Sequence, residues 1–422
     1  MRTGRGIRWR IVWILFFSTT INYVNRQTLS LLAPVIATDL HFSHADLSQI
    51  FGSFQIAYAW TWLAGGVILD LIGARAGLSL AVIWWSIASI LTGFANSVAS
   101  FSFCRFLLGI GEGFNWPGAS KVVAEWFPAR ERGLAVAVFD SGSSVGAGVA
   151  AVTIPLISLA WGWRSAFTVS GLLGIVWLVV WLKSYHPRER HPQLTAEEAE
   201  LIAAGSVTPI KVPFVTGVRR ILKNRNTWGI LLGRSLTDPM WWFFVFWLPQ
   251  YLSDARGFSL KEIAAFAWLP FVAADLGNFT GGWVSGRIIR SGVPVIRARK
   301  WVCVISCLPM LAGIPAVVVH SAFWAIVLIC VALWGYAAWS TMGLTFPSDL
   351  FDQSVVGTVT GLSGFGAGMA GTAVTLLVGR IVDRFSYVPV FFFVTVLPLL
   401  ATVAVVALIR DRVSATPARM PE

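Results

Sequence analysis

Twelve apolar runs of about twenty residues, each closed by a short charged or Gly/Pro-rich break, constrain this chain more than any other feature. A helix needs about 20 largely apolar residues to cross the hydrocarbon of a bilayer, and a spanning segment must satisfy its backbone hydrogen bonds internally. The runs fall at 9–34, 47–69, 77–97, 99–124, 134–160, 164–184, 227–252, 262–288, 300–319, 322–345, 355–381 and 386–409. With 56% hydrophobic and 12% charged residues over 422 positions, a soluble fold would have too little polar surface to cover its core. The expected class is an all-α polytopic membrane protein of twelve transmembrane helices in the lipid bilayer.

A net charge of +12 raises the possibility of a nucleic-acid partner, but the charge is dealt out between spans. Arg2, Arg5, Arg8 and Arg10 precede the first run, and Arg130 and Arg132 follow the fourth. Lys183, Arg188, Arg190, Lys211 and Arg219 to Arg225 fill the central loop; Arg287 to Lys300 follow the eighth run, and Arg410 and Arg412 the last. This is the positive-inside pattern, so both termini are expected in the cytoplasm and no nucleic-acid partner is. The basic start leads into a run that continues through Asn25 and Arg26 with no small-residue cleavage site, which predicts an uncleaved first helix. Cys104, Cys303, Cys307 and Cys330 all fall within runs without neighbouring His or carboxylates, so neither a metal site, a disulfide framework nor a cofactor is expected.

The long polar connection at 185–226 divides the chain into a six-helix bundle at 1–184 and another at 227–422. Within this linker Thr195 and Glu198 form a capping-box pattern that predicts a short surface helix. The halves repeat weakly. Ala33-Pro34 to Asp39 leads to Phe42-Ser43 as Leu248-Pro249 to Asp254 leads to Phe258-Ser259. Glu125-Trp126-Phe127 with Gly133 and Gly142 is echoed by Asp349-Leu350-Phe351 with Gly357 and Gly366. Same-direction repeats of this kind place a substrate between the halves at mid-depth.

The stretch Arg105 to Gly118 puts a cation and a carboxylate inside an apolar run. Arg105 and Glu112 are seven positions apart, so they share a helix face within about 20° and lie about 10.5 Å apart along the axis. An ionised group costs about 3 kcal/mol to insert and therefore faces a water-filled cavity or a partner. Arg26 is a second intramembrane cation, and together with Arg105 it suits a carboxylate, because guanidinium does not readily deprotonate and binds in a planar fork. A small organic anion is the expected substrate. Asn25, Tyr58, Ser143 and Asn115 suit hydroxyls, and Trp339 and Trp242 suit the apolar face of a sugar, although helix packing accounts for these equally well. For Glu112 the alternative is a structural ion pair. Arg234 and Asp238, at i and i+4, are expected to pair with each other.

Gly66-Val-Ile-Leu-Asp70-Leu-Ile-Gly73-Ala-Arg75 resembles the signature between helices 2 and 3 of the major facilitator superfamily. There Gly66 would permit close helix approach, and Asp70 and Arg75 would form a cytoplasmic gating latch. The second-half copy, Gly282 to Arg287, lacks the Asp. Ile21 to Ser30, Arg105 to Gly118 and Glu125 to Gly133 are similar to the anion:cation symporter family. Arg234 to Trp242, Phe246 to Tyr251 and Phe266 to Gly277 are similar to its bacterial hexuronate branch. The resemblance implies the major facilitator fold, in the cytoplasmic membrane, and proton-coupled uptake of a sugar acid by alternating access. It also implies that Arg26, Tyr58, Arg105 and Ser143 lie at the anion, that Glu112 carries the proton, and that a monomer functions. Some galactonate-type members have an acid where this chain has Asn25, so a second titrating site is missing there. Asp140, Asp238 and Asp275 are the remaining acids within runs, and Asp140 either replaces that site or pairs with an arginine.

Two other classes and one variant compete. An enzyme would need a catalytic constellation, whereas His41, His44, His186, His191 and His320 all lie near run boundaries or in loops. A sensor on a transporter scaffold would need a signalling domain. A proton-independent exchanger, or a carrier of other small carboxylates such as aromatic acids, stays open.

Overall fold

The computed structural model describes residues 6–188, 191–204, 219, 221–351 and 353–410, apart from a few side chains that include Asp70. Helices account for almost every apolar run, and the runs at 47, 99 and 262 start one to three residues earlier where a serine caps them. In the first half these are α1 (Ile7–Leu40), α2 (His44–Ile72), α3 (Ala74–Thr92), α4 (Val98–Glu112), α5 (Asn115–Trp126), α6 (Ala129–Trp161) and α7 (Trp163–Ser184). The surface helix α8 (Ala196–Ala204) follows. The second half has α9 (Arg225–Arg256), α10 (Leu260–Phe266), α11 (Leu269–Arg290), α12 (Val295–Met310), α13 (Gly313–Val318), α14 (Ala322–Leu350), α15 (Gln353–Arg384) and α16 (Tyr387–Leu408). Capping boxes at Ser43/Asp46, Ser97/Ser100 and Ser259/Glu262 start α2, α4 and α10, satisfying amides that the helix itself leaves open.

Three runs that read as single helices are broken in the structure: α4/α5, α10/α11 and α12/α13. The first break follows Glu112 directly, where Gly113 and Phe114 turn back onto the carbonyls of Gly109 and Gly111. Each pair still makes one crossing, which gives the twelve-helix fold. Eight crossings are long and apolar enough to span a membrane by length and composition alone among the described residues. The other four, α1, α2, α4–α5 and α9, carry Arg26, Tyr58, Arg105, Glu112, Arg234 and Asp238. In α1 and α9 the polar groups brought to the centre lower the hydropathy. On the outside, Phe94, Phe103, Leu308 and Phe323 are each more than 60% exposed, as lipid-facing side chains of a multi-pass protein are.

Close approach explains two glycines. A Cβ on Gly109 would collide with the Phe54 carbonyl of α2, and one on Gly146 with the Thr20 carbonyl of α1. Gly66 differs from expectation: a Cβ there would meet nothing within 4 Å, so it mediates no close helix contact in this state. Between the halves, α2 packs along α15, α1 along α9, and α6 against α10 and α11.

One face carries both described chain ends. There Arg8 pairs with Glu131 and Glu198 at 3.2 and 2.9 Å, and Arg225 donates to the Ala407 carbonyl. On the far face α2 and α9 close against each other. Phe51 stacks on Phe246 with centroids 5.0 Å apart and meets Trp247 edge-on at 5.6 Å.

A candidate substrate cavity

A cavity of about 2420 Å³ lies between the halves and reaches from Arg26 and Tyr58 at mid-depth to Arg75, Glu125 and Arg188 at the face of the chain ends. The far-face aromatics cap its inner end, so it opens to one side only. At the apex, Arg26 Nε donates to Glu112 Oε2 at 3.0 Å and Nη2 to Asn22 Oδ1 at 3.2 Å. The guanidinium carbon lies 4.6 Å from the Tyr58 ring, 4.7 Å from Tyr23, 5.2 Å from Phe54 and 5.8 Å from Trp242. An aromatic box of this kind holds a cation by its ring faces while leaving the guanidinium edge for a ligand. Trp242 comes from the second half, so this box is completed across the interface.

Glu112 is fully buried, and its Oε1 has no hydrogen-bond partner. Removing one member of such a buried pair costs about 3–5 kcal/mol unless something replaces it. Arg26 and Arg105 do not together face a carboxylate across the cavity in this state, because Arg26 is paired with Glu112. Arg105 does not line the cavity. Its Nη2 donates to the Arg26 carbonyl at 3.2 Å and its Nη1 to the Asn25 carbonyl at 3.5 Å, under the Phe54 ring. In this state Arg105 braces the α1 segment that carries Arg26.

Of the remaining candidates, Tyr58, Ser143 and Trp242 line the cavity, whereas Asn25, Asn115 and Trp339 do not. Asn25 donates to the Ile21 carbonyl within its own helix. Asn115 accepts from Ser18 at 2.7 Å and donates to Thr19 at 3.1 Å, tying α5 to α1. Trp339 is fully buried and donates to Thr402 at 2.8 Å in the second-half core. Arg75 donates to the Leu182 carbonyl at 2.7 Å, and the Asp70 side chain, its expected latch partner, lies outside the described residues.

The cavity wall of the second half holds groups that sequence reasoning left unassigned or missed. Arg234 and Asp238 pair at 2.7 Å as expected, and Tyr336 also donates to Asp238 at 3.2 Å. Trp241 stacks on Tyr336. Asp140 accepts from Trp116 Nε1 at 2.9 Å, and among the described residues it pairs with no arginine, one of the two alternatives left open for it. Ser144 of α6 donates to Asp275 of α11 at 2.5 Å, a hydrogen bond that bridges the halves. The Gly-rich repeat around Gly142 marked this part of α6, but nothing local in sequence marks a contact 131 positions away.

A model of the Major Facilitator Superfamily matches residues 15–374. The chain belongs to that superfamily. A member of it is a transporter and not an enzyme. This transporter is 32% identical over 416 residues to the hexuronate transporter of Escherichia coli (strain K12), covering 98% of this chain and 96% of that one. It is 34% identical over 283 residues to the galacturonate transporter of Dickeya chrysanthemi, which covers 66% of this chain and 82% of that one. A solved bacterial homologue of the human lysosomal transporter Spinster, in an inward-facing and unoccupied conformation, shares the transporter's fold. The TM-score is 0.69 at 17% identity, over 96% of this chain and 95% of that one.

Proposed function

We propose that the protein takes up a hexuronate or aldonate across the cytoplasmic membrane together with a proton, by alternating access of two bundles, 1–184 and 227–422, joined by the linker 185–226. The face of the chain ends is the cytoplasmic one, since Arg8, Arg10, Arg188, Arg225, Arg299 and Lys300 all lie on it. The structure is then the inward-open state. The relatives named as hexuronate and galacturonate transporters support the substrate class.

The observation that carries the reading is the buried Arg26–Glu112 pair at the cavity apex. A substrate carboxylate competes with Glu112 for the Arg26 fork, and Glu112, fully buried, is then left without its cation. Protonation of the Glu112 carboxylate then relieves that charge. Anion binding and proton uptake thereby favour each other, and the coupling is reciprocal. Tyr58, Ser143 and Trp242 contact the sugar, with the tryptophan covering its apolar face.

Uptake of labelled glucuronate and galactonate into proteoliposomes, with and without an inward proton gradient, tests the reading. The parent should accumulate substrate only with the gradient. Glu112→Gln, which resembles the protonated acid, should keep exchange across the membrane and lose accumulation. Undiminished proton-driven accumulation by this variant would remove Glu112 from the mechanism, and gradient-independent accumulation by the parent would favour an exchanger.

A further inference from the structure

On the face opposite the cavity mouth, His44 sits between two aspartates of the other half. It is the first residue of α2, outside the apolar part of that span. Its Nε2 lies 2.7 Å from Asp254 Oδ2 at the end of α9, and its Nδ1 lies 2.7 Å from Asp383 Oδ1 at the end of α15. Asp383 also accepts from the backbone amides of His44 and Ala45 at 3.2 and 2.9 Å, so a carboxylate of the second half caps a helix of the first. Asp254 further accepts from Tyr387 at 2.8 Å, at the start of α16, and from Gln250 at 2.9 Å. Trp247 of α9 stacks beside the imidazole. The neighbouring charges are engaged elsewhere: Arg256 with Tyr251 and the Val319 carbonyl, Asp46 with Ser43, and Asp39 with Trp163 and Arg164. All three side chains of the cluster are about 30% exposed, so solvent on this face reaches them.

The proton count follows from the donors. Ionised carboxylate oxygens only accept, and a neutral imidazole has a single N–H, so two short contacts to two carboxylates need both ring nitrogens protonated. Placing the proton on one of the carboxyls leaves the same total. The closed cluster holds one proton that the separated groups would release near neutral pH, where a free imidazole titrates at about 6.5.

We propose that His44, Asp254 and Asp383 form a proton-binding lock between the halves, loaded from the outer compartment, that holds the outer face shut in acid. The hydrogen bond to Asp254 foremost raises the imidazole above its ordinary range, against burial, which lowers it; Asp383 adds to the rise. Asp254, which burial alone would push up, is held below the carboxylate range by its bonds from His44, Tyr387 and Gln250. The sign is that of a group whose affinity for the proton is higher in the closed state. The lock acts fully below the open-state value of about 6.5 and is lost as pH rises through the higher closed-state value. Its proton is exposed to the outside in the closed state, so it is not the one carried across. Only the identity of the outer compartment rests on the orientation proposed above.

Spin labels at Thr38→Cys and Ala255→Cys, in a chain with its four native cysteines replaced, report the separation of the halves on this face without any substrate. Each unit by which closure raises the imidazole value changes the closed-to-open ratio about tenfold. The closed population should therefore rise relative to the open one between pH 8.5 and pH 5.5. His44→Gln should abolish the response, His44→Lys should stay closed at both values, and the response should persist in Glu112→Gln. If His44→Gln does not fold, Asp254→Asn, which removes the larger of the two contributions to the rise, supplies the comparison with a diminished response, and an undiminished one would count against the lock. Equal populations of the parent at the two pH values, or an undiminished shift in His44→Gln, would overturn the lock. Neither result bears on sugar-acid uptake.

Discussion

Arg26 is held on every side: by Glu112 and Asn22 through its N–H groups, and by Tyr23, Phe54, Tyr58 and Trp242 through its ring-facing surfaces. Such a residue can exchange one anionic partner for another without leaving its place. Arg105 makes this possible from behind, since its two terminal nitrogens hold the carbonyls of consecutive residues, Asn25 and Arg26. A lysine there keeps the charge but cannot span both carbonyls. Arg105→Lys should weaken binding of the sugar acid about tenfold or more, the value of one lost charge-assisted bond of about 1.5–3 kcal/mol. Equilibrium binding to the purified protein reads this, with thermal unfolding as the control for a merely structural loss. Unchanged affinity would show that the brace does not position Arg26.

At the level of elements, the fold depends on where helix backbones touch. Gly109 lets α4 lie directly against the Phe54 to Tyr58 segment of α2, which sets Glu112 one turn further on beside Arg26. Because the obstacle is a backbone carbonyl, it cannot give way as a flexible side chain would. Gly109→Leu should destabilise the protein by at least the ~1–3 kcal/mol typical of overpacking, seen as a lower unfolding temperature in detergent. Gly66→Ala, where a Cβ meets open space, should leave that temperature unchanged and is the matched control. An equal effect of the two would mean that the α2–α4 contact is looser than the structure shows. The break after Glu112 has the same origin: with glycine at 109, 111 and 113 the helix lacks side chains to hold it straight, and the chain turns before Asn115 ties α5 to α1.

For the whole molecule, the two faces carry different devices. The face of the chain ends is open along the cavity, and the opposite face is shut by the Phe51/Phe246/Trp247 cluster and, beyond it, by His44 with its two aspartates. The Ser144–Asp275 bond joins the halves at mid-depth. Among acids near the cavity, Asp238 is already tied to Arg234 and Tyr336, and Asn25 cannot titrate. One proton, on Glu112, is then expected per monovalent sugar acid, so uptake should be electroneutral. A substrate-induced inward current across a reconstituted membrane would require a second proton site, with Asp140 and Asp275 the residues to substitute next.

The sequence by itself determined the twelve crossings and the class, because burial in lipid demands long apolar helices whatever their packing. It also determined the identity of the key charges, Arg26, Arg105 and Glu112, because charged groups in such runs are costly enough to stand out. It was silent on their pairing. Whether Arg26 or Arg105 meets Glu112 depends on the crossing of α1 and α4, a contact 86 positions apart in the chain. The same holds for Asn115 and Trp339, whose polar atoms found partners on neighbouring helices instead of in the cavity. The repeat placed Asp39 and Asp254 at equivalent helix ends, but only the tertiary structure gave Asp254 a histidine from the other half. Local pattern reports what a side chain costs in the membrane; which neighbour repays that cost is decided by the packing of distant helices.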